Sequence, residues 1–330
     1  MDNRTKWFLM RVVRFFVIGF LALTIIFILP RIMPGDPIDN LFGENASLLN
    51  EDAVDIMYAK YHLDDPLWEQ YLAFLKSIFT FDYGYSIISA SSVNKLIAQR
   101  LPWTLALTIP SLLIGSVIGF YLALYCGTTR KITDKTMTSL SIFMHTMPTF
   151  LIAMIFVKAL AFDLGLFPLS HNNSGTYSGG WMWYLDSMYH LLLPSIILII
   201  GTVTSYYLTI RNSVLEVKND DYIFVAESKG LTDEEIRSRH VSRNALPVFL
   251  SIFAMGLGGI LSGALIIELV FSLNGMGTLL YQAISRQDYP VIQGVFILLT
   301  TWVLLMNLVA EFAYGLADPR IGDSHDRGTK

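Results

Sequence analysis

Six long apolar runs constrain this chain more than anything else in it. They lie at roughly 10–33, 101–126, 137–162, 190–210, 247–273 and 291–316. Each is close to the ~20 apolar residues that a helix needs to cross a hydrocarbon core. Charged residues make up only 15% of the 330, against about 25% in a soluble protein, and that deficit also points to lipid. The expectation is an all-α membrane protein with six transmembrane helices. The first run follows a basic start, as in a signal peptide, but continues past Pro30 to Met33 with no small-residue cleavage site after it. It reads as a retained first span.

Six spans place both termini on one side, and lysine and arginine select that side. Sixteen of the 23 basic residues fall on one face: in the N-terminal stretch, the 127–136 loop, the 211–243 segment and the C-terminal tail. The 163–189 loop has none and the 274–290 loop only Arg286. Both termini are therefore expected in the cytoplasm. The net charge of -4 and the lack of a basic block give no reason to expect nucleic acid as a partner. The single cysteine, Cys126, excludes an internal disulfide and suits a small buried hydrophobe.

The 34–100 stretch is the largest outer loop. Pro34-Gly35-Asp36-Pro37 is a turn signal that stops the first span. Leu67, Trp68, Tyr71, Leu72, Leu75, Ile78 and Phe79 recur at helical spacing, which predicts an amphipathic helix on the membrane surface or on the protein's own rim. A second short helix is expected over 92–100. In the 163–189 loop, Trp181 and Trp183 suit an interfacial belt.

Between the fourth and fifth runs, 211–243 reads RNSVLEVKNDDYIFVAESKGLTDEEIRSRHVSR. It predicts two helices, the first from about Ser213 to Lys229, with Gly230 ending it in the left-handed conformation. Thr232 with Glu235 three residues on is the pattern of a capping box for the second. Tyr222, Val225, Ala226 and Lys229 follow 3–4 spacing on the first helix. On these grounds alone the segment is either a docking unit for another protein or a solvated surface loop.

Asp221-Tyr222, Ala226, Lys229-Gly230-Leu231, His240 and Arg243-Asn244-Ala245-Leu246-Pro247 resemble the cytoplasmic loop of ABC-importer permeases, and in particular the B-type permease subunit of dipeptide and oligopeptide importers. Further segments resemble that family in the same order: Pro34-Gly35-Asp36-Pro37, His62-Leu63-Asp64-Asp65-Pro66, Arg100-Leu101-Pro102-Trp103-Thr104-Leu105, Ser262-Gly263-Ala264 with Glu268, Gly275-Met276-Gly277, Asp288-Tyr289-Pro290 and Asp318-Pro319-Arg320. The chain departs from the wider superfamily in having Phe224-Val225-Ala226 in place of Glu-Ala-Ala, and Asn274 in place of a proline. The resemblance implies a type I ABC-importer permease fold in a bacterial or archaeal cytoplasmic membrane. Its parts would be a first span within 1–33, an extracytoplasmic loop at 34–100, a permease core at 101–316 with a coupling loop at 211–246, and a tail at 317–330. It also implies a second homologous permease, two ATP-binding subunits that carry the ATP and magnesium, an extracytoplasmic substrate-binding protein, and no cofactor in this chain. Asp221, Tyr222, Val225, Ala226, Lys229, Gly230 and Leu231 would face the ATPase.

No HExxH, GxSxG or GxxxxGK[ST] motif is present, so neither a zinc protease, a nucleophile elbow nor a Walker loop is expected. Ionisable residues inside spans are candidates for function. His145, followed by Met147 and Pro148, either lines the pathway or is satisfied by a neighbouring helix. Gly256, Gly258, Gly259 and Gly263, with Met255 beside them, serve close helix packing or flexibility at a gate. Glu268 serves structural pairing or the outer mouth. Lys158 is expected to snorkel outward, Glu311 to bond a neighbouring helix with Asn307, and Asp318-Pro319-Arg320 to close the last helix. An ion-coupled transporter would call for inverted repeats and midplane carboxylates, while the spans offer only Glu268 and Glu311 towards their ends. By the resemblance, the cargo is a dipeptide or longer peptide, with glutathione, nickel or a metallophore as alternatives.

Overall fold

The structure, a computed structural model, describes residues 3–34, 56, 58, 59, 61–89, 91–129, 131–262 and 264–317. The turn at Gly35-Asp36-Pro37, Arg130, Gly263 and the Asp318-Pro319-Arg320 tail lie outside the described residues, as do the side chains of Arg4, Lys6, Arg11, Lys131 and Glu311. Among the described residues the architecture is helical, with one isolated bridge between Tyr85 and Ser92. In chain order the helices are α1 (Asn3–Arg31), α2 (Leu67–Thr80), α3 (Val93–Thr128), α4 (Lys131–Thr146), α5 (Thr149–Asp163), α6 (Gly180–Lys218), α7 (Asp221–Ser228), α8 (Asp233–Gly259), α9 (Leu265–Val270), α10 (Met276–Ser285) and α11 (Tyr289–Ala317).

Five of these, α1, α3, α6, α8 and α11, hold a stretch long and apolar enough to cross a bilayer. The expected third span is not straight: α4 and α5 meet at 96°. Pro148 causes the break, because it has no N–H to donate and its ring pushes Met147 out of the α region. Taken as one bent span, the pair brings the number to six. The expected fifth span over 247–273 also needs correction. Its helix starts in the polar segment at Asp233 and stops at Gly259, and the chain resumes as the short α9. Three glycines in the last turn, Gly256, Gly258 and Gly259, each weaken a helix by about 1 kcal/mol relative to alanine. Hydrogen bonds from Ile260 to Leu257 and from Ser262 to Gly259 then tighten the chain out of the α path. The short helix expected over 92–100 is instead the first part of α3, and α6 runs well past 190–210 at both ends.

The chain forms two compact units, one within Met1–Trp103 and Asn274–Leu304, the other within Thr104–Leu273 and Leu305–Lys330. In the first, α2 folds back on α1. Ile26, Phe27, Phe74 and Ile297 are its buried centre, with Tyr71, Leu75 and Ile78 against them. The rings of Phe27 and Tyr71 meet edge to face at 5.0 Å, and the Tyr71 hydroxyl lies 2.8 Å from Thr24 Oγ1. This amphipathic helix thus packs on the protein itself, against α1, although Trp68, Leu72 and Phe79 remain exposed. Asp288, just before α11, is buried and accepts from the Ser86 hydroxyl at 2.5 Å and from the backbone N–H groups of Ile87 and Ile88. That carboxylate ties the Tyr85–Ser92 turn to the start of α11.

In the second unit, small residues recur every fourth position along α3: Ser111, Gly115, Gly119, Ala123 and Gly127. They form a groove that admits α6. A Cβ on Gly115 would lie 2.6 Å from Thr202 Cβ, and one on Gly119 would lie 2.7 Å from Tyr206 Cβ. At Gly127 the neighbour is Val214, at 2.7 Å. Helices in lipid gain from dispersion contacts of this kind, since apolar burial alone gives them no driving force.

Candidate functional site

The polar segment folds as a helix–turn–helix. Its first helix does not run from Ser213 to Lys229 as expected, because α6 ends at Lys218 and α7 begins anew at Asp221, with Asn219 and Asp220 between them. The end of α7 is as the sequence requires. Gly230 has φ +80°, Leu231 N–H reaches back to Ala226 C=O and Gly230 N–H to Glu227 C=O, the Schellman pattern. Thr232 and Glu235 then form the complete capping box: Glu235 N–H donates to Thr232 Oγ1, and Thr232 N–H donates to Glu235 Oε2 at 3.0 Å.

Two side chains hold the unit shut. Asn244 Nδ2 donates to the Tyr222 hydroxyl at 2.6 Å, and the Tyr222 ring lies 6.3 Å from that of His240. Partial burial, and then the charge of Asp220, raise the Tyr222 phenol above its ordinary pKa, so it stays a neutral acceptor. Ile223 and Ala226 are buried in this packing. The expected outward stripe is therefore corrected: Ala226 is buried, α7 packs on the Ile236–Val241 stretch of α8, and the exposed apolar residues of α7 are Tyr222, Phe224 and Val225. Phe224, at the position of the missing glutamate, is 71% exposed. Asp221, Lys229 and Gly230 are exposed, and Leu231 is half-buried.

The segment is anchored to the membrane helices by an ion pair that the sequence reading missed. Arg211, near the end of α6, grips Asp134 of α4 with Nε and Nη2, both at 2.5 Å, and Tyr207 Oη lies 3.3 Å from the same carboxylate. Thr138 Oγ1 sits 3.1 Å from Tyr207 Oη. One acidic residue in an otherwise basic loop was the available signal. Arg237 of α8 lies 5.5 Å over the Tyr125 ring, a second tie to α3.

The residues proposed for a pathway fall in different settings. Glu268 is 1% exposed and accepts from Thr104 Oγ1 at 2.6 Å, as structural pairing would have it. Gly256 is a packing contact, because a Cβ there would meet Tyr206 Oη at 2.7 Å and Leu112 Cδ1 at 2.9 Å. Gly259 ends α8 in open space, and Met255 is exposed. His145 is exposed in the last turn of α4, with Met147 at the bend itself. Lys158 is exposed and pairs with Asp163 at 2.5 Å.

Comparison with known proteins bears on this geometry. Residues 115–323 match the family described as "Binding-protein-dependent transport system inner membrane component", and residues 4–108 match that family's N-terminal region. The chain is 33% identical over 300 residues to the dipeptide transport system permease protein DppB of Bacillus subtilis, covering 90% of this chain and 92% of that one. It is 31% identical over 315 residues to the di/tripeptide transport system permease protein DppB of Pseudomonas aeruginosa, covering 89% and 92%. Among solved structures, an inward-facing MetNI methionine ABC transporter superposes with a TM-score of 0.53 at 17% identity, over 68% of this chain and 96% of that one.

Proposed function

The chain belongs to the binding-protein-dependent transport system inner membrane components, and from that premise we propose that it is the permease subunit of an ATP-driven importer of small peptides. The observation that carries this reading is the identity to dipeptide and di/tripeptide permeases over nine-tenths of both chains. In this reading the spans form half of a translocation path and a second, similar permease supplies the other half. An external binding protein delivers the peptide, and two ATPase subunits grip the cytoplasmic segments. The basic bias of the termini and of the 211–243 segment supports a cytoplasmic position for all three.

The helix–turn–helix supplies the coupling. Closure of the ATPase pair on ATP pulls on Tyr222, Phe224 and Val225, and the Asp134–Arg211 pair passes the movement to α4 and α6. The spans then shift between inward-open and outward-open arrangements as rigid bodies, biased by the nucleotide. This chain contributes no residue to hydrolysis. The test is reconstitution of the four-part assembly with its binding protein in liposomes. Uptake of labelled dialanine should require ATP and stop with hydrolysis-dead ATPases; uptake that persists with them overturns the reading.

A further inference from the structure

Within the first unit, a cavity of about 580 Å³ lies between the end of α1, the inner face of α2, the Asp82–Ile87 turn and the start of α11. Among the described residues, the cation that a membrane helix gives it is Arg31, half-buried at the end of α1. The guanidinium is held firmly. It stacks 3.6 Å over the Phe27 ring, Nη1 donates to Phe27 C=O at 2.7 Å, and Nε and Nη2 both donate to Gln70 Oε1. Gln70 is itself fixed, because its Nε2 donates to the carbonyls of Leu63 and Asp65 at 3.1 and 2.8 Å. All of these acceptors are neutral, and no carboxylate pairs with Arg31 among the described residues. A guanidinium has five N–H donors, so the three bonds leave two for an incoming oxyanion.

The cavity has other donors to offer. Gln293 lines it, and its Nε2 is buried beside it with no partner among the described residues. Tyr83, Tyr289 and Asp82 also line it, and Asp82 Oδ1 accepts from Gly84 N–H within its own turn. A buried polar group without a partner costs stability until something fills its valence. A fixed cation with open donors, an unsatisfied amide and an acidic group in one cavity are the complement of a small zwitterion.

The polar character of the side of α2 that lines the cavity argues for a ligand from water. At 3.6 residues per turn, Gln70, Ala73 and Ser77 share one side of α2, beside the exposed polar Glu69 and Lys76. The apolar exposed residues Trp68, Leu72 and Phe79 lie on the opposite side. We infer that this cavity is a binding site for the free carboxylate and ammonium ends of a short peptide, with Arg31 and Gln293 on the carboxylate and Asp82 towards the ammonium. This rests on the peptide-importer reading and adds to it a station on the permease itself.

The site can be read out without transport. Ser77 lines the cavity and its hydroxyl bonds only within its own helix, to Phe74 C=O, so Ser77→Cys is a mild reporter. The native thiol, Cys126, is buried. In the transporter held in nanodiscs, dialanine should slow maleimide labelling of the Ser77→Cys variant, and dialanine amide should be weaker by about tenfold or more, the usual worth of a bond to a charged group. Arg31→Lys keeps the charge but loses the fork, and Gln293→Leu removes one donor; each should weaken protection by dialanine. Equal protection by the amide, or undiminished protection in both variants, overturns the inference. So does protection by inorganic phosphate alone, or only by phosphatidylglycerol in place of phosphatidylcholine, which would assign the cavity to an ion or a lipid headgroup. Uptake that proceeds without any protection sinks this site and leaves the importer reading standing; protection without uptake does the reverse.

Discussion

Gly230 has φ +80° and nothing within 4 Å of the place a Cβ would occupy. A side chain there meets no clash, only the backbone cost of the left-handed region, about 1–2 kcal/mol. Gly230→Val should therefore insert and assemble normally while ATP hydrolysis loses its link to uptake, and Gly230→Asn should retain most of the coupling because asparagine tolerates that region. Parallel assays of hydrolysis and uptake in liposomes check this; normal coupling in the valine variant removes the turn from the mechanism. Glu268 gives a second residue-scale test. Thr104→Val deletes a 2.6 Å bond to a buried carboxylate and should cost about 1–3 kcal/mol, lowering the thermal midpoint in detergent, whereas Thr104→Ser should not.

At the scale of elements, the α3–α6 contact is decided by which glycines touch. Gly115→Ala places a methyl 2.6 Å from Thr202 Cβ and 3.2 Å from Ile199 C=O, so the helices must part, and overpacking of this sort costs about 1–3 kcal/mol. Gly201→Ala, on α6, meets nothing within 4 Å and should be neutral or mildly stabilising. Opposite signs for one chemical change, measured as thermal midpoints, are the expected result. These elements also show what a sequence discloses. The capping box at Thr232 and the glycine exit at Gly230 are local, set by residues a few positions apart, and were legible. The break after Gly259 and the 96° bend at Pro148 were not, since hydropathy counts apolar residues and is blind to the path they take. The Asp134–Arg211 pair joins positions far apart in sequence, so a lone acid in a basic loop hints at a partner and packing alone names it.

For the whole molecule, the correction at α7 changes what a partner can touch. Phe224 and Val225 are outward and Ala226 is buried. Phe224→Cys and Val225→Cys should crosslink to an ATPase subunit in the assembled transporter, and Ala226→Cys should not. Crosslinks from Ala226→Cys alone, or reaction of all three only with soluble reagents, would return the segment to a solvated loop. In the proposed coupling role, Phe224 offers the partner an exposed phenyl ring where the superfamily pattern has a glutamate. Binding of the ATPase should accordingly depend little on salt, because screening weakens charge pairs and leaves apolar contact intact.

The bend at Pro148 has a further consequence, for how the chain enters the bilayer as it is made. Each arm, Ile132–Thr146 and Thr149–Asp163, is roughly 22 Å long, short of the ~30 Å hydrocarbon core. Neither arm alone spans that core, and Asp134, at the start of the first, meets its counter-ion Arg211 only some 77 residues later. The bent pair is therefore expected to stay near the surface until α6 arrives with that arginine. Truncated nascent chains that end before Arg211 should leave the arms accessible to a membrane-impermeant label, and chains that extend past it should protect them.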